Sequence, residues 1–241
     1  MIERLQMQQA GTLKRRLERI GWAVGAIASL ALIWSSLSHH GEMDITEVLG
    51  FITGAVSVWL TVKQNVWNWP IGIANSAFYV IVFFQARLFA DSSLNILYVV
   101  LGFLGWYWWL KGGEHHTALN VGRVSKRSVL VLAAVGLVGT VGMAVFLASV
   151  HDSAPFFDAL TTVLSLIAEY MLARKLLENW GVWITADIIY IGLYAYRSLY
   201  LTAILYAFFL TMCIVGFVGW RRTWLASRTP PERIVMEPAR A

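Results

Sequence analysis

The chain has 241 residues, of which 58% are hydrophobic and only 14% charged, and its mean hydropathy is +0.62. Soluble domains carry about 25% charge, so this composition excludes one and points to an integral membrane protein. A net charge of +5 would suit a nucleic-acid binder, but its placement along the chain is explained better by membrane topology, and no nucleic-acid partner is expected. The one cysteine, Cys213, lies in an apolar run and cannot form an internal disulfide.

Eight apolar stretches are long enough, or nearly so, to cross a hydrocarbon core of about 30 Å, which takes about 20 helical residues. They fall near 20–37, 45–64, 67–85, 91–110, 129–150, 155–173, 180–196 and 199–220. Their continuous apolar character excludes a closed barrel, whose strands would alternate. The first follows a basic stretch, as in a signal peptide. Ser-Ser-Leu-Ser-His-His follows Trp34 instead of a small-residue cleavage site, so this run reads as a retained anchor helix. The third and seventh are short, or broken by Pro70 and Gly181. The fifth has no charge and no aromatic before Phe146, and it spaces Gly136, Gly139 and Gly142 for close helix contact. Segment 111–128 is polar and reads as a linker. Its adjacent His115 and His116 beside one glutamate are a weak metal motif, and neither metal nor cofactor is expected. The tail after Trp224, with Pro230-Pro231, is expected to be solvated.

Charge sets the orientation. With the N-terminus in the cytoplasm, the inside segments hold 17 of the 19 basic residues, leaving Arg87 and Arg197 outside. Excess Lys/Arg on cytoplasmic loops is the usual topological bias. Eight spans with both ends inside follow.

Residues 47–109 and 158–220 align without a gap, 111 residues apart. Glu47 falls on Asp158, Lys63 on Arg174, Asn68-Trp69 on Asn179-Trp180, Tyr79 on Tyr190, Leu88-Phe89 on Leu199-Tyr200, Leu94 on Leu205, and Trp109 on Trp220. Each copy has three spans, so a second copy keeps its orientation only if one extra helix returns the chain across the membrane. Residues 129–150 supply that helix. The expected fold is an all-α membrane protein of two parallel three-helix repeats joined by a linker helix, three plus one plus three, after one extra N-terminal helix. The boundaries are 1–42 for the N-tail and extra helix, 43–110 for the first repeat, 111–152 for linker and connecting helix, 153–224 for the second repeat, and 225–241 for the tail.

Polar groups inside lipid are costly and usually face the bundle interior or a water-filled path. Asn75, Asn95, Glu169 and Asp187 stand out by depth. Asn75 and Tyr79 share a helix face, and Trp183, Asp187 and Tyr190 form a stripe of aromatic, carboxylate and aromatic. Such a stripe suits a flat ring and its hydroxyls, and the aspartate favours a cationic ring. Trp67 joins Tyr79, Trp183 and Tyr190 as a candidate ring contact, with Glu169 for hydroxyls. Trp59, Trp106, Trp108, Trp109, Trp220 and Trp224, near helix ends, read as interfacial belts. No nucleotide-binding loop, nucleophile elbow or His-Glu-x-x-His motif occurs, so an enzyme is not expected.

The segment Trp67-Asn68-Trp69-Pro70-Ile71-Gly72, continuing through Leu88-Phe89-Ala90-Asp91-Ser92-Ser93-Leu94 to Gly105-Trp106-Tyr107-Trp108-Trp109, resembles the PnuC family of vitamin transporters. So does Ala168-Glu169-Tyr170-Met171-Leu172-Ala173-Arg174-Lys175 running on to Asn179-Trp180-Gly181-Val182-Trp183-Ile184. The resemblance covers about 45–224 and leaves out the N-terminal helix. It implies a fold like a full-length SWEET sugar transporter, with solute between two three-helix bundles. It implies facilitated diffusion of nicotinamide riboside across a bacterial inner membrane, trapping of the solute by a cytoplasmic riboside kinase, and a homotrimer. Relatives carry thiamine or riboflavin, and thiamine is also a flat cation. The rivals are a proton-coupled symporter using Glu169 or Asp187, and a membrane enzyme or assembly subunit without transport.

Overall fold

The structure, a computed structural model, describes residues 45–87, 89–151, 154–198 and 200–228. The helix expected near 20–37 and the tail beyond 228 lie outside them. Seven α-helices follow in order: α1 (Ile45–Val62), α2 (Asn68–Gln85), α3 (Phe89–Lys111), α4 (Lys126–Ser149), α5 (Pro155–Ala173), α6 (Asn179–Tyr196) and α7 (Tyr200–Ala226). Four of them, over Asp91–Lys111, Lys126–Ser149, Pro155–Ala173 and Thr202–Ala226, are long and apolar enough to cross a membrane. The other three have 18 residues each, and polar residues that line a cavity lower the hydropathy of α2 and α6.

Neither Pro70 nor Gly181 breaks its helix. Each is the third residue, in the first turn, where the backbone N–H needs no partner within the helix. The turns before α2 and α6 share one geometry. Gln64 and Lys175 both take left-handed backbone, at φ 55° and 53°. Asn65 N donates to Leu60 O and Leu176 N to Met171 O, both at 2.9 Å, and Gln64 and Lys175 close the shorter bonds to Thr61 O and Leu172 O. This is the Schellman ending of a helix, made without glycine. After α2 and α6, Arg87 (φ 62°) and Ser198 (φ 60°) again match.

Helix α1 packs on α2 and α2 on α3, while α5 packs on α6 and α6 on α7; α3 meets α5, and α1 meets α7. Helix α4 packs on α5. A Cβ at Gly136 would lie 3.2 Å from Ile167, and one at Gly139 3.5 Å from Val163, so these two glycines bring α4 close to α5. Gly142 has nothing within 4 Å and plays no such part. The other side of α4 presents Leu130, Leu137, Val138 and Val145, each about 70% exposed, as a lipid-facing helix does.

The core departs from one sequence expectation. Trp109 and Trp220 are not interfacial: they are 3% and 0% exposed and sit in the main core cluster with Trp69 and Trp180. Trp69 meets Trp109 edge-on at 5.5 Å, Trp180 meets Trp220 edge-on at 5.4 Å, and Trp109 meets Trp220 at 5.7 Å. Edge-to-face contact sets the positive rim of one ring against the negative face of another. Gly105 and Gly216 make room for this, because a Cβ at either would overlap the Trp69 or Trp180 indole.

The segment before α4 is likewise more than a loose linker. Gly122 pairs with the α5–α6 turn in a parallel bridge, its N–H donating to Lys175 O at 3.1 Å and its carbonyl accepting from Leu177 N at 2.9 Å. Arg123 pairs with Glu178, which also accepts from Val124 N at 3.0 Å. Residues 119–124 thus form a strap across that turn.

Candidate functional site

Between the two groups of helices lies a cavity of about 300 Å³, lined by residues of α1, α2, α3, α5, α6 and α7. Four of the residues singled out in the sequence line it: Asn75, Glu169, Trp183 and Asp187. Asn75 Nδ2 donates to Gly50 O at 2.9 Å and to Thr53 Oγ1 at 2.6 Å, which holds its amide against α1. Asp187 is buried, with the Cys213 thiol donating to its Oδ2 at 3.5 Å. Glu169 is half-buried near the end of α5.

The other four do not line this cavity. Trp67 precedes α2 and is 63% exposed. Tyr79 turns toward α1, where its ring fills the space a Cβ at Gly50 would need, and it stacks on Phe83 at 5.4 Å. Asn95 donates back to Asp91 O, one turn earlier on its own helix. Tyr190 packs on Tyr206 at 4.5 Å and on Tyr194 at 5.9 Å, so it supports the wall from behind through Tyr206, which does line the cavity.

The structure adds residues that the sequence marks as repeat and family signature but not as site residues. Asn68, Trp69, Asn179 and Trp180 all face the cavity. Asn68 Nδ2 donates to Thr61 Oγ1 at 3.1 Å, and the Ser57 hydroxyl donates to Asn68 O at 3.1 Å. Asn179 Nδ2 donates to Leu176 O. Yet Asn68 Oδ1, Asn179 Oδ1, Trp69 Nε1 and Trp180 Nε1 are all buried without a hydrogen-bond partner. Each orphaned group costs about 1–3 kcal/mol while it stays unpaired. Their place at the start of α2 and α6, at one offset in the chain, is the signal that would have found them. Tyr98 adds a hydroxyl on α3 that meets Ser165 Oγ of α5 at 2.6 Å.

Two carboxylates, Glu169 and Asp187, line the cavity, and no Lys, Arg or His is among its described lining residues. Aromatic rings supply flat faces. Chemically the site can stack a ring, neutralise a cation and pair with hydroxyl or amide groups. None of its described lining side chains could neutralise an anion.

A membrane-spanning helical bundle around an internal cavity lined by rings, amides and two carboxyl groups is an architecture that suits a solute transporter. The chain belongs to the PnuC family, whose model, described as nicotinamide mononucleotide transporter, matches residues 44–222. It is 23% identical over 205 residues to the nicotinamide riboside transporter PnuC of Escherichia coli K12, covering 74% of this chain and 86% of that one. It is 24% identical over 204 residues to the riboflavin/roseoflavin transporter RibM of Streptomyces davaonensis, covering 81% and 92%. A crystal structure of the vitamin B3 transporter PnuC shares the fold with TM-score 0.65 at 20% identity, over 87% of this chain and 92% of that one.

Proposed function

We propose that this chain carries nicotinamide riboside into a bacterial cell across the inner membrane by facilitated diffusion, and that a cytoplasmic riboside kinase then traps the solute. The single observation that carries this reading is the acidic lining of the cavity: two carboxyl groups face it and none of its described lining residues is basic. Nicotinamide riboside has a flat cationic ring, an amide and a polyhydroxyl ribose. Trp183 and the Trp69 and Trp180 indoles supply ring faces and N–H donors, Asp187 the counter-charge, and Asn68, Asn75, Asn179 and Glu169 partners for hydroxyl and amide. A mononucleotide would add a phosphate beside two carboxylates without a basic partner. The relationship to RibM favours a second reading, carriage of riboflavin, which is larger and uncharged.

The carrier mechanism rests on two parallel three-helix repeats, about 43–110 and 153–224, joined by α4 and rocking about the solute. Support comes from the matched left-handed turns, the matched Trp pairs and the reciprocal packing of α3 on α5 and α7 on α1. Cytoplasmic termini and a homotrimer complete the proposal.

Calorimetry on detergent-purified protein tests it, with nicotinamide riboside against thiamine, riboflavin and nicotinamide mononucleotide. Tight binding of the riboside alone supports the reading, and selective binding of another vitamin replaces the cargo. In vesicles, accumulation driven by an imposed pH gradient would replace facilitated diffusion with proton symport.

A further inference from the structure

The cavity is floored on the side of the strap. Thr61 and Leu172 line it, and their backbone carbonyls accept the indole N–H groups of Trp220 and Trp109, each at 3.1 Å. Because these two rings are almost wholly buried, nothing the size of a solute passes them in this state. To open that end, the rings must move.

Trp109 is held from behind. The Lys175 ammonium sits 4.6 Å over its ring and donates to Leu119 O of the strap at 2.9 Å. Lys175 lies in the turn between spans and is buried, and burial pulls its pKa below the usual lysine value. The strap is itself clamped by Glu178 to Arg123 and Val124 N, while Leu119 N donates to Trp109 O at 3.0 Å. A closed path therefore runs from Trp109 through Lys175 and Leu119 back to Trp109, with Glu178 fastening the strap. The equivalent position in the first half is Gln64, whose amide donates to Thr223 Oγ1 at the exposed surface.

We infer that Lys175 is a positioning residue of the transport cycle, which acts through Trp109 to keep the inner end of the cavity shut, and that Glu178 is the latch holding the strap on which Lys175 depends. The inference rests on the carrier reading but not on the identity of the solute. Interactions made only in the closed state set how often the other state is visited. Removing the cation from Trp109 raises the open population, and a desolvated cation–π contact weighs enough to do so on the order of tenfold.

The chain carries its own reporter, because its one cysteine, Cys213, lines the cavity. The experiment is the rate at which a charged, membrane-impermeant methanethiosulfonate modifies Cys213 in inside-out vesicles and in intact cells, without added solute. Lys175→Gln keeps the turn, since glutamine already occupies the same left-handed conformation at Gln64. It is expected to speed modification on the order of tenfold in inside-out vesicles, with little change in intact cells. Glu178→Gln should act in the same direction. Lys175→Arg, which keeps a cation over the ring, should restore the slow rate. Unchanged labelling in both Lys175→Gln and Glu178→Gln overturns the inference. So does faster labelling from both faces alike, which reports general loosening. If Lys175→Gln fails to insert, Glu178→Gln decides alone. Riboside binding fails or survives independently of these rates, so the two proposals are separable.

Discussion

Trp109 and Trp220 meet at 5.7 Å between ring centroids at the floor of the cavity, and each gives its indole N–H to the opposite half. Trp109 donates to Leu172 O and Trp220 to Thr61 O, and donors and acceptors are both 111 residues apart, so each bond is the image of the other. A pair of buried bonds of this kind ties two groups of helices where lipid offers no hydrophobic drive to hold them.

Trp109→Phe and Trp220→Phe keep an aromatic ring but remove the indole donor, while Leu172 O and Thr61 O keep their bonds from Lys175 N and Gln64 N. Each should cost about 0.5–1.5 kcal/mol of stability. The double variant should depart from additivity, because the two rings are in contact. Thermal unfolding in detergent measures both, and a loss of less than a few tenths of a kcal/mol in either single variant would contradict it.

Gly105→Ala and Gly216→Ala place a methyl in the Trp69 or Trp180 indole, so either substitution should displace a cavity wall and abolish solute binding. Gly181→Ala has open space and should be tolerated, with a gain of up to about 1 kcal/mol in helix propensity. Calorimetry and melting curves on the three proteins would tell these effects apart.

Trp183→Ala and Trp67→Ala are expected to part company. Trp183 lines the cavity and Trp67 stands outside it, 63% exposed. Loss of a stacking face and its aromatic–cation contact should weaken riboside binding by about 1–2 kcal/mol for Trp183→Ala. Binding should be within a factor of two or so for Trp67→Ala, a change of about 0.4 kcal/mol. Equal losses would show that the cavity is not where the solute sits.

Asp187→Asn should lower affinity for the cationic riboside while leaving the affinity for its uncharged, reduced dihydro form nearly the same. The ratio of the two affinities, not either alone, reads the charge. Should both fall together, Asp187 would be structural, through its bond to Cys213.

How much of this was legible in the sequence differs by residue. An all-helical membrane architecture follows from long apolar runs. The depth of a polar group in a span pointed to Asn75, Asn95, Glu169 and Asp187, all but Asn95 of which line the cavity, and Trp183 came from its helix stripe with Asp187. Trp109 and Trp220 misled for a physical reason. A tryptophan near a helix end satisfies the rule for the lipid interface as well as it satisfies a buried contact, and only the chain that packs on it decides. Tyr79 and Tyr190 share the helix stripe of cavity residues, yet a small rotation sends them against α1 and Tyr206 instead. Ser57 and Thr61 escaped because one hydroxyl in a helix is cheap to bury when it bonds a backbone carbonyl, and Tyr98 because its hydroxyl partner, Ser165, lies on a distant helix. The strap was hidden in a glycine-containing polar stretch whose partner lies some fifty residues downstream in the turn at Lys175.

The reciprocal indole bonds also bear on biogenesis. A nascent chain that has threaded only its first three helices into the bilayer holds a tryptophan donor and a Thr61 carbonyl whose partners have not yet been synthesised. That end of the cavity is therefore closed only when the last helix, which carries Trp220, has joined the bundle.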